Sequence, residues 1–392
     1  MTVNVAVITI GRSDYGLLHP LVTRLNVDAR FGLRLIATGS HLLPEQGMTV
    51  NEISKDGFEV LREVVLPYEG DSRLSTAHGT GAAITLLADA LDETRTDVVV
   101  ILGDRFETFA AAAAAVILDV PVAHIHGGEL TQGSIDDAFR HAITKMATLH
   151  FAAAEEYRRR IIQMGEMPRS VFNVGALAVD NVLGTVLLDE GEFLKTYGVV
   201  CDSRTLLVTF HPVTRGDSVR ELQELLNALD AMPAYRVLFT APNVDAGGRE
   251  LYAIVQEWAK RRSERADLVQ ALGWRGYLSA ARNAAAVVGN SSSGVIEVPA
   301  LGVPSVDVGA RQAGRIHPSS VVRAEADAGS ISAALVRALS PEHRAAAAEA
   351  PNPYGDGHAA ERIAEVLADT ELLQRVRHAT FSDLECKEPP RE

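Results

Sequence analysis

The sequence predicts a doubly wound α/β protein of two domains, and three observations carry that reading. Short apolar runs rich in β-branched residues recur along the chain, amphipathic segments separate them, and the rhythm breaks once, near residues 189–202. Strands apolar on both faces and divided by helices belong to parallel sheets built from βαβ units. A chain of 392 residues exceeds one ordinary domain and suits two.

The elements follow in order. The first series of strands is expected at Val5–Ile10, Leu33–Thr38, Val98–Leu102, Val122–Ile125 and Val171–Val174. Between the second and third, Ile84, Leu87, Ala88 and Leu91 keep the spacing of one buried helical face. A weak helix over residues 181–188 closes this half, and Asp189-Glu190-Gly191 followed by Tyr197-Gly198 marks the boundary. The second series is Leu206–Phe210, Val237–Thr240, Ala286–Val288 and Ser305–Val308. Helices with Leu222, Leu225, Leu226, Leu229 and with Ile254, Val255, Trp258 lie between them. A linker over residues 351–357 precedes a last helix from His358 to Leu367, and the tail from Thr380 reads as loose. The expected division is therefore 1–188, 189–357, and a terminal helix over 358–378, with a cleft between the two halves.

Composition excludes several classes. A net charge of −14 opposes long-range attraction to nucleic acid or anionic membranes, so a phosphate ligand has to be held by local devices. Cys201 and Cys386 form no pair with metal-ligand spacing, which fits a reducing compartment and excludes a thiolate zinc site. No basic-then-apolar leader opens the sequence, and its longest charge-free apolar stretch is too short to span a bilayer. A cytoplasmic protein is expected.

In open α/β sheets ligands bind beyond the carboxyl ends of the strands, so the polar residues there are the candidates. The first strand ends in Gly11-Arg12-Ser13-Asp14-Tyr15-Gly16, which is neither GxGxxG nor a Walker loop. The third ends in Gly103-Asp104-Arg105-Phe106-Glu107. Asp104 and Arg105 can supply a base beside a phosphate-pairing cation, or Asp104 can simply cap the alanine-rich helix with Glu107. The fourth runs through His124 into His126-Gly127-Gly128-Glu129, followed by Asp136, Arg140 and His141. These histidines are either site groups or satisfied core residues; zinc is disfavoured for want of HExxH or a cysteine partner. In the second half, His211-Pro212 leaves one strand and Ala241-Pro242-Asn243 another. Gly289-Asn290-Ser291-Ser292-Ser293-Gly294 opens a helix expected at Val295–Leu301. Three serines between glycines exceed the needs of one cap and suit a diphosphate, with Glu297 one turn on to reach ribose hydroxyls.

Taken in order, these motifs resemble the hydrolysing UDP-N-acetylglucosamine 2-epimerases of sialic-acid-type pathways. The set includes Thr38-Gly39-Ser40-His41-Leu42, the Arg140-to-Lys145 run and Gly309-Ala310-Arg311-Gln312, in family order from residue 3 to about 367. The resemblance implies a GT-B-like fold of two Rossmann-type domains with an interdomain cleft, and the last helix crossing back to the first. It implies proton removal at C2, loss of the nucleotide from C1, and hydration to a free 2-acetamido sugar, with neither metal nor NAD. Asp104, Asp136 and His211 match catalytic positions. Arg105 and Arg140 match substrate and diphosphate contacts, and Arg12, Asn243, Ser291, Ser292, Glu297 and Arg311 match nucleotide contacts. Some relatives carry Glu where this chain has His126, so His126 or Glu129 takes that acid/base place, and one extra residue stands before Asp136. Base and acid stay unassigned. The expected substrate is UDP-N-acetylglucosamine, converted to N-acetylmannosamine and UDP, and a homodimer is implied. Alternatives are a GDP- or UDP-linked diacetamido trideoxy sugar, a GT-B glycosyltransferase, or a non-catalytic nucleotide-sugar binding module.

Overall fold

The computed structural model describes residues 2–67, 72–130, 135–213, 216–241, 248–270, 272–377 and 381–383. It divides into two compact units, one of residues 1–181 with 354–392 and one of residues 182–353. Expectations for Asn243, Ser134, Thr214, Cys386 and the end of the tail lie outside the described residues.

The first unit holds a seven-stranded sheet: β1 (Val3–Thr9), β2 (Phe31–Thr38), β3 (Val60–Val64), β4 (Val98–Leu102), β5 (Val122–Ile125), β6 (Leu149–Ala152) and β7 (Val171–Asn173). Its order is β3-β2-β1-β4-β5-β6-β7 and all six strand pairings are parallel. The second unit repeats the scheme with β8 (Thr205–Thr209), β9 (Arg236–Thr240), β10 (Ala266–Val269), β11 (Ala286–Gly289), β12 (Ser305–Val308) and β13 (Val321–Ala324), in the order β10-β9-β8-β11-β12-β13. Both sheets reverse their strand order beside the first strand, the doubly wound arrangement whose ligand position lies at the reversal.

Two apolar layers sandwich each sheet. On one face of the first, Val5, Val7 and Val100 pack against Leu18, Leu21 and Leu25 of the helix Arg12–Val27. On the other, Ala6, Ile8 and Val99 meet Leu87, Leu91 and the alanines of the helix Phe106–Ile117. The small alanine side chains bring that helix close to the sheet. Ile363, Ala364 and Leu367 of the helix Ala359–Ala368 complete the first layer. Asp180 fixes the start of this last helix by accepting the Ala359 and Ala360 N–H groups at 3.0 and 2.8 Å. In the second unit, Leu222, Leu225, Leu226 and Leu229 lie on one face of the sheet, while Phe193 and Val298 lie on the other.

Four local expectations are corrected. Residues 190–197, read as an interruption, form a helix with a full Asp189–Glu192 capping box and a left-handed Gly198 at its end. The weak helix over 181–188 instead spans Leu177–Gly184. The expected helix Val295–Leu301 is a single α turn, Ser293–Ile296, followed by a 3₁₀ turn, Val298–Leu301; Pro299 has no N–H to continue the α ladder. Strands β3, β6, β10 and β13 went unpredicted because charged or buried polar residues interrupt their short apolar runs. Among the described residues no helix is long and apolar enough to cross a membrane.

Candidate functional site

The polar groups of the first unit gather beyond the ends of β1, β4 and β5. After β4, Gly103 adopts φ 81° and the chain turns into a helix that starts at Phe106. The N-cap position is Arg105, without a side-chain cap bond, so the capping role considered for Asp104 and Glu107 is not the one found. Arg140, itself buried, donates to Asp104 Oδ2. Glu107 is fully buried and accepts from Arg105 Nε and Nη2 at 3.2 and 3.1 Å. Asp136 lies four residues before Arg140 on the helix Ile135–Met146, and so on the same side of it.

After β5 the chain turns on His126, which has φ 67°, a conformation a non-glycine residue holds only at a cost of about 1–2 kcal/mol. His126 Nδ1 lies 2.6 Å from Glu129 Oε1, and its Nε2 is buried without a hydrogen-bond partner among the described residues. With Glu129 ionised, the proton sits on Nδ1 and Nε2 presents its lone pair. Arg160 donates to the Gly128 carbonyl and holds the turn from the helix Glu155–Gln163.

The turn after β1 rests on a buried chain that sequence reasoning missed. Thr9 Oγ1 donates to Asp14 at 2.9 Å, Ile10 N–H donates to the same carboxylate at 2.8 Å, and His41 Nε2 lies 2.9 Å from Thr9 Oγ1. His41 Nδ1 in turn lies 2.8 Å from Thr49 Oγ1. Burial pushes Asp14 up to about 6 against the Ile10 and Thr9 bonds, and pushes His41 down to about 4. The only advance signal was that Asp14 and His41 belong to the motifs already noted. Arg12, by contrast, is exposed and pairs with Glu52 at 3.2 Å.

In the second unit the corresponding reversal lies between β8 and β11. Asn290 is fully buried and grips His211 twice: its Oδ1 accepts the His211 N–H at 2.8 Å and its Nδ2 donates to the His211 carbonyl at 2.9 Å. Its own carbonyl accepts from Gln312 Nε2 at 2.8 Å and from Arg311 Nη1 at 3.2 Å. Gly289 makes this approach possible, because a Cβ there would stand 1.8 Å from the Thr209 carbonyl oxygen. Ser292 occupies the N-cap position without a cap bond. Ser293 Oγ donates to Ser291 Oγ at 3.1 Å and also bonds the Tyr277 hydroxyl, which burial pushes up to about 12. Glu297 stands at the end of the short helix. Asn290, Gln312 and Tyr277 were not singled out in advance; only the first two lay inside quoted motifs.

The structure thus joins Asp104 to Arg140, His126 to Glu129, Arg105 to Glu107, and His211 to Arg311 through Asn290. The arrangement offers several proton-transfer groups in one unit, and in the other amide and hydroxyl groups with a guanidinium and the His211 imidazole.

A family model described as UDP-N-acetylglucosamine 2-epimerase matches residues 23–368. A Campylobacter jejuni protein named GDP/UDP-N,N'-diacetylbacillosamine 2-epimerase (hydrolyzing) is 34% identical over 82% of this chain and 84% of its own length. A UDP-N-acetylglucosamine 2-epimerase of Neisseria meningitidis is 30% identical over 96% of this chain and 98% of its own. The S. aureus MnaA–UDP co-structure superposes with a TM-score of 0.77, covering 98% of this chain and 100% of that one at 19% identity, a likeness of fold.

Proposed function

The chain belongs to the UDP-N-acetylglucosamine 2-epimerase family, and on that premise we propose that it is a hydrolysing epimerase of a UDP-linked 2-acetamido sugar. The observation that carries the reading is the pairing of strand ends in the first unit. Adjacent strands β4 and β5 present Asp104 tied to Arg140 and His126 tied to Glu129. Inversion at a carbon needs a proton taken from one face and returned on the other, hence two proton-transfer groups.

In this reading Asp104 takes the C2 proton as the C1–O bond to the diphosphate breaks, leaving a C1=C2 double bond and free UDP. Water then adds, its hydroxyl to C1, while its proton passes through Asp136 to the His126 Nε2 lone pair and from there to C2 on the opposite face. Asp136 serves as acid/base for the incoming water. The product is the free sugar with C2 inverted. Arg105 and Arg140 orient the substrate, and His211 with Ser291, Ser292 and Arg311 takes up charge on the departing diphosphate. Arg12, Asn243 and Glu297 complete the nucleotide contacts, and a homodimer is the expected assembly. The first substrate proposed is UDP-N-acetylglucosamine, giving N-acetylmannosamine. A 2,4-diacetamido trideoxy sugar is the second reading, favoured by the name of the 34% identical relative.

A panel of UDP- and GDP-linked sugars, assayed in deuterated water without added metal, tests this. The expected outcome is release of UDP and a free 2-acetamido sugar bearing deuterium at C2. A product still linked to UDP defeats the hydrolysing reading, and a product lacking the label defeats proton abstraction at C2.

A further inference from the structure

We infer that His124, buried behind the proposed site, is a positioning residue for Asp104, holding the turn after β4 through one hydrogen bond from its Nε2–H to the Gly103 carbonyl. The inference rests on Asp104 taking the C2 proton, as proposed above.

His124 lies in the middle of the first sheet, in register with Ile101 of β4 and His150 of β6, and is fully buried. Its Nε2 is 2.8 Å from the Gly103 oxygen. A carbonyl only accepts, so the ring carries its proton on Nε2 and leaves a lone pair on Nδ1. That Nδ1 is buried without a partner among the described residues. A Cβ on Gly127 would come within 3.0 Å of it. The ring therefore spans two turns. It donates to the one that carries Asp104 and packs against the one that follows His126. Burial pushes the imidazole down to about 3, with the nearby Arg140 charge acting in the same direction, so the donor stays neutral.

Gly103 depends on this tie. It sits at positive φ, and a Cβ there would meet nothing within 4 Å, so side-chain packing does not hold it. Its N–H donates to the Ile125 carbonyl at 3.1 Å and its C=O accepts from His124, so both polar groups are anchored to β5. An interior strand position accepts valine or leucine at no polar cost. A histidine with one buried nitrogen unpaired carries a stability cost there, which a positioning role accounts for and packing does not.

Variants of the full chain separate positioning from packing. His124→Leu keeps the bulk and removes the donor, while His124→Gln offers an amide N–H near the Nε2 position. With the nucleotide sugar turned over fastest in the panel above, His124→Leu is expected to lose about 100-fold in kcat with KM changed by less than about threefold, the size of a misplacement of about 1 Å. His124→Gln is expected to recover about tenfold of that loss. Nitrogen-15 NMR of the unsubstituted protein is expected to show His124 protonated on Nε2 alone between about pH 7 and pH 5. A proton on Nδ1, an unchanged kcat in His124→Leu, or a His124→Gln variant no better than His124→Leu at equal thermal stability overturns the inference. Wild-type turnover by Asp104→Asn instead overturns the reading of Asp104, and the NMR result still decides whether the ring ties Gly103.

Discussion

The two sheets share a topology but place different chemistry where their strand order reverses. Around β1, β4 and β5 the first unit buries ionisable groups: Asp14, His41, Glu107, His124, Glu129 and Arg140. Around β8 and β11 the second buries one titratable side chain at its turn, His211, and builds the rest from Asn290, Gln312, three serines and the Tyr277 hydroxyl, with Arg311 beside it. One backbone solution therefore serves two tasks. Groups that exchange protons suit a reacting carbon, whereas amides and hydroxyls that keep their protons across the physiological range suit an anion that must only be held.

The contrast predicts a graded set of effects. The largest is Asp104→Asn, expected to lower kcat by about 1,000-fold, equivalent to about 4 kcal/mol of barrier. UDP affinity, read by calorimetry, should stay unchanged if the division of labour is right.

Next comes pH. His124 is pushed down to about 3 and His41 to about 4 in the folded chain, so the unfolded chain binds more protons below pH 6.5 and stability falls with falling pH. His124 alone accounts for about 3 kcal/mol lost by pH 4.5. Asp14, pushed up to about 6, acts the other way: its folded form takes a proton first, which returns part of that loss between about pH 6 and 4. Hydrogen exchange from pH 7 to 4.5 should show protection falling in β1, β4 and β5 and falling less in β8 and β11. Equal loss in both units would break the comparison.

Smaller again is Asn290→Ala, which removes both bonds to His211. It should cost the second unit about 2 kcal/mol in melting experiments and weaken UDP about tenfold, with little change in the exchange protection of β4 and β5. The smallest effect on stability is Arg12→Ala, less than about 1 kcal/mol, because its pair with Glu52 is exposed. A larger loss of UDP affinity in that variant would locate the nucleotide near the β1 turn.

Much of the fold was legible because fully buried parallel strands print continuous apolar runs, as Val98–Leu102 and Leu206–Val208 do. Strand β6 was not, because His150, fully buried at its centre, reads as polar in sequence. The partnerships Asp104–Arg140 and His126–Glu129 fell among residues already suspected, since both lie at strand ends. Thr9 and Tyr277 did not. Each hydroxyl reaches a partner 16 or more residues away, at His41 or Ser293, beyond the local Thr9–Asp14 bond, and only the folded chain brings those positions together.

The Asp180 carboxylate, which receives the first amides of the helix Ala359–Ala368, links segments separated by 179 and 180 residues. Everything between them except the crossing residues builds the other unit. During synthesis on the ribosome the second unit is therefore complete before the first has its final layer. A nascent chain halted at residue 353 exposes the apolar surface around Leu21 and Leu25 that Ile363 and Leu367 would cover, and that surface is open to chaperones or to another unfinished copy.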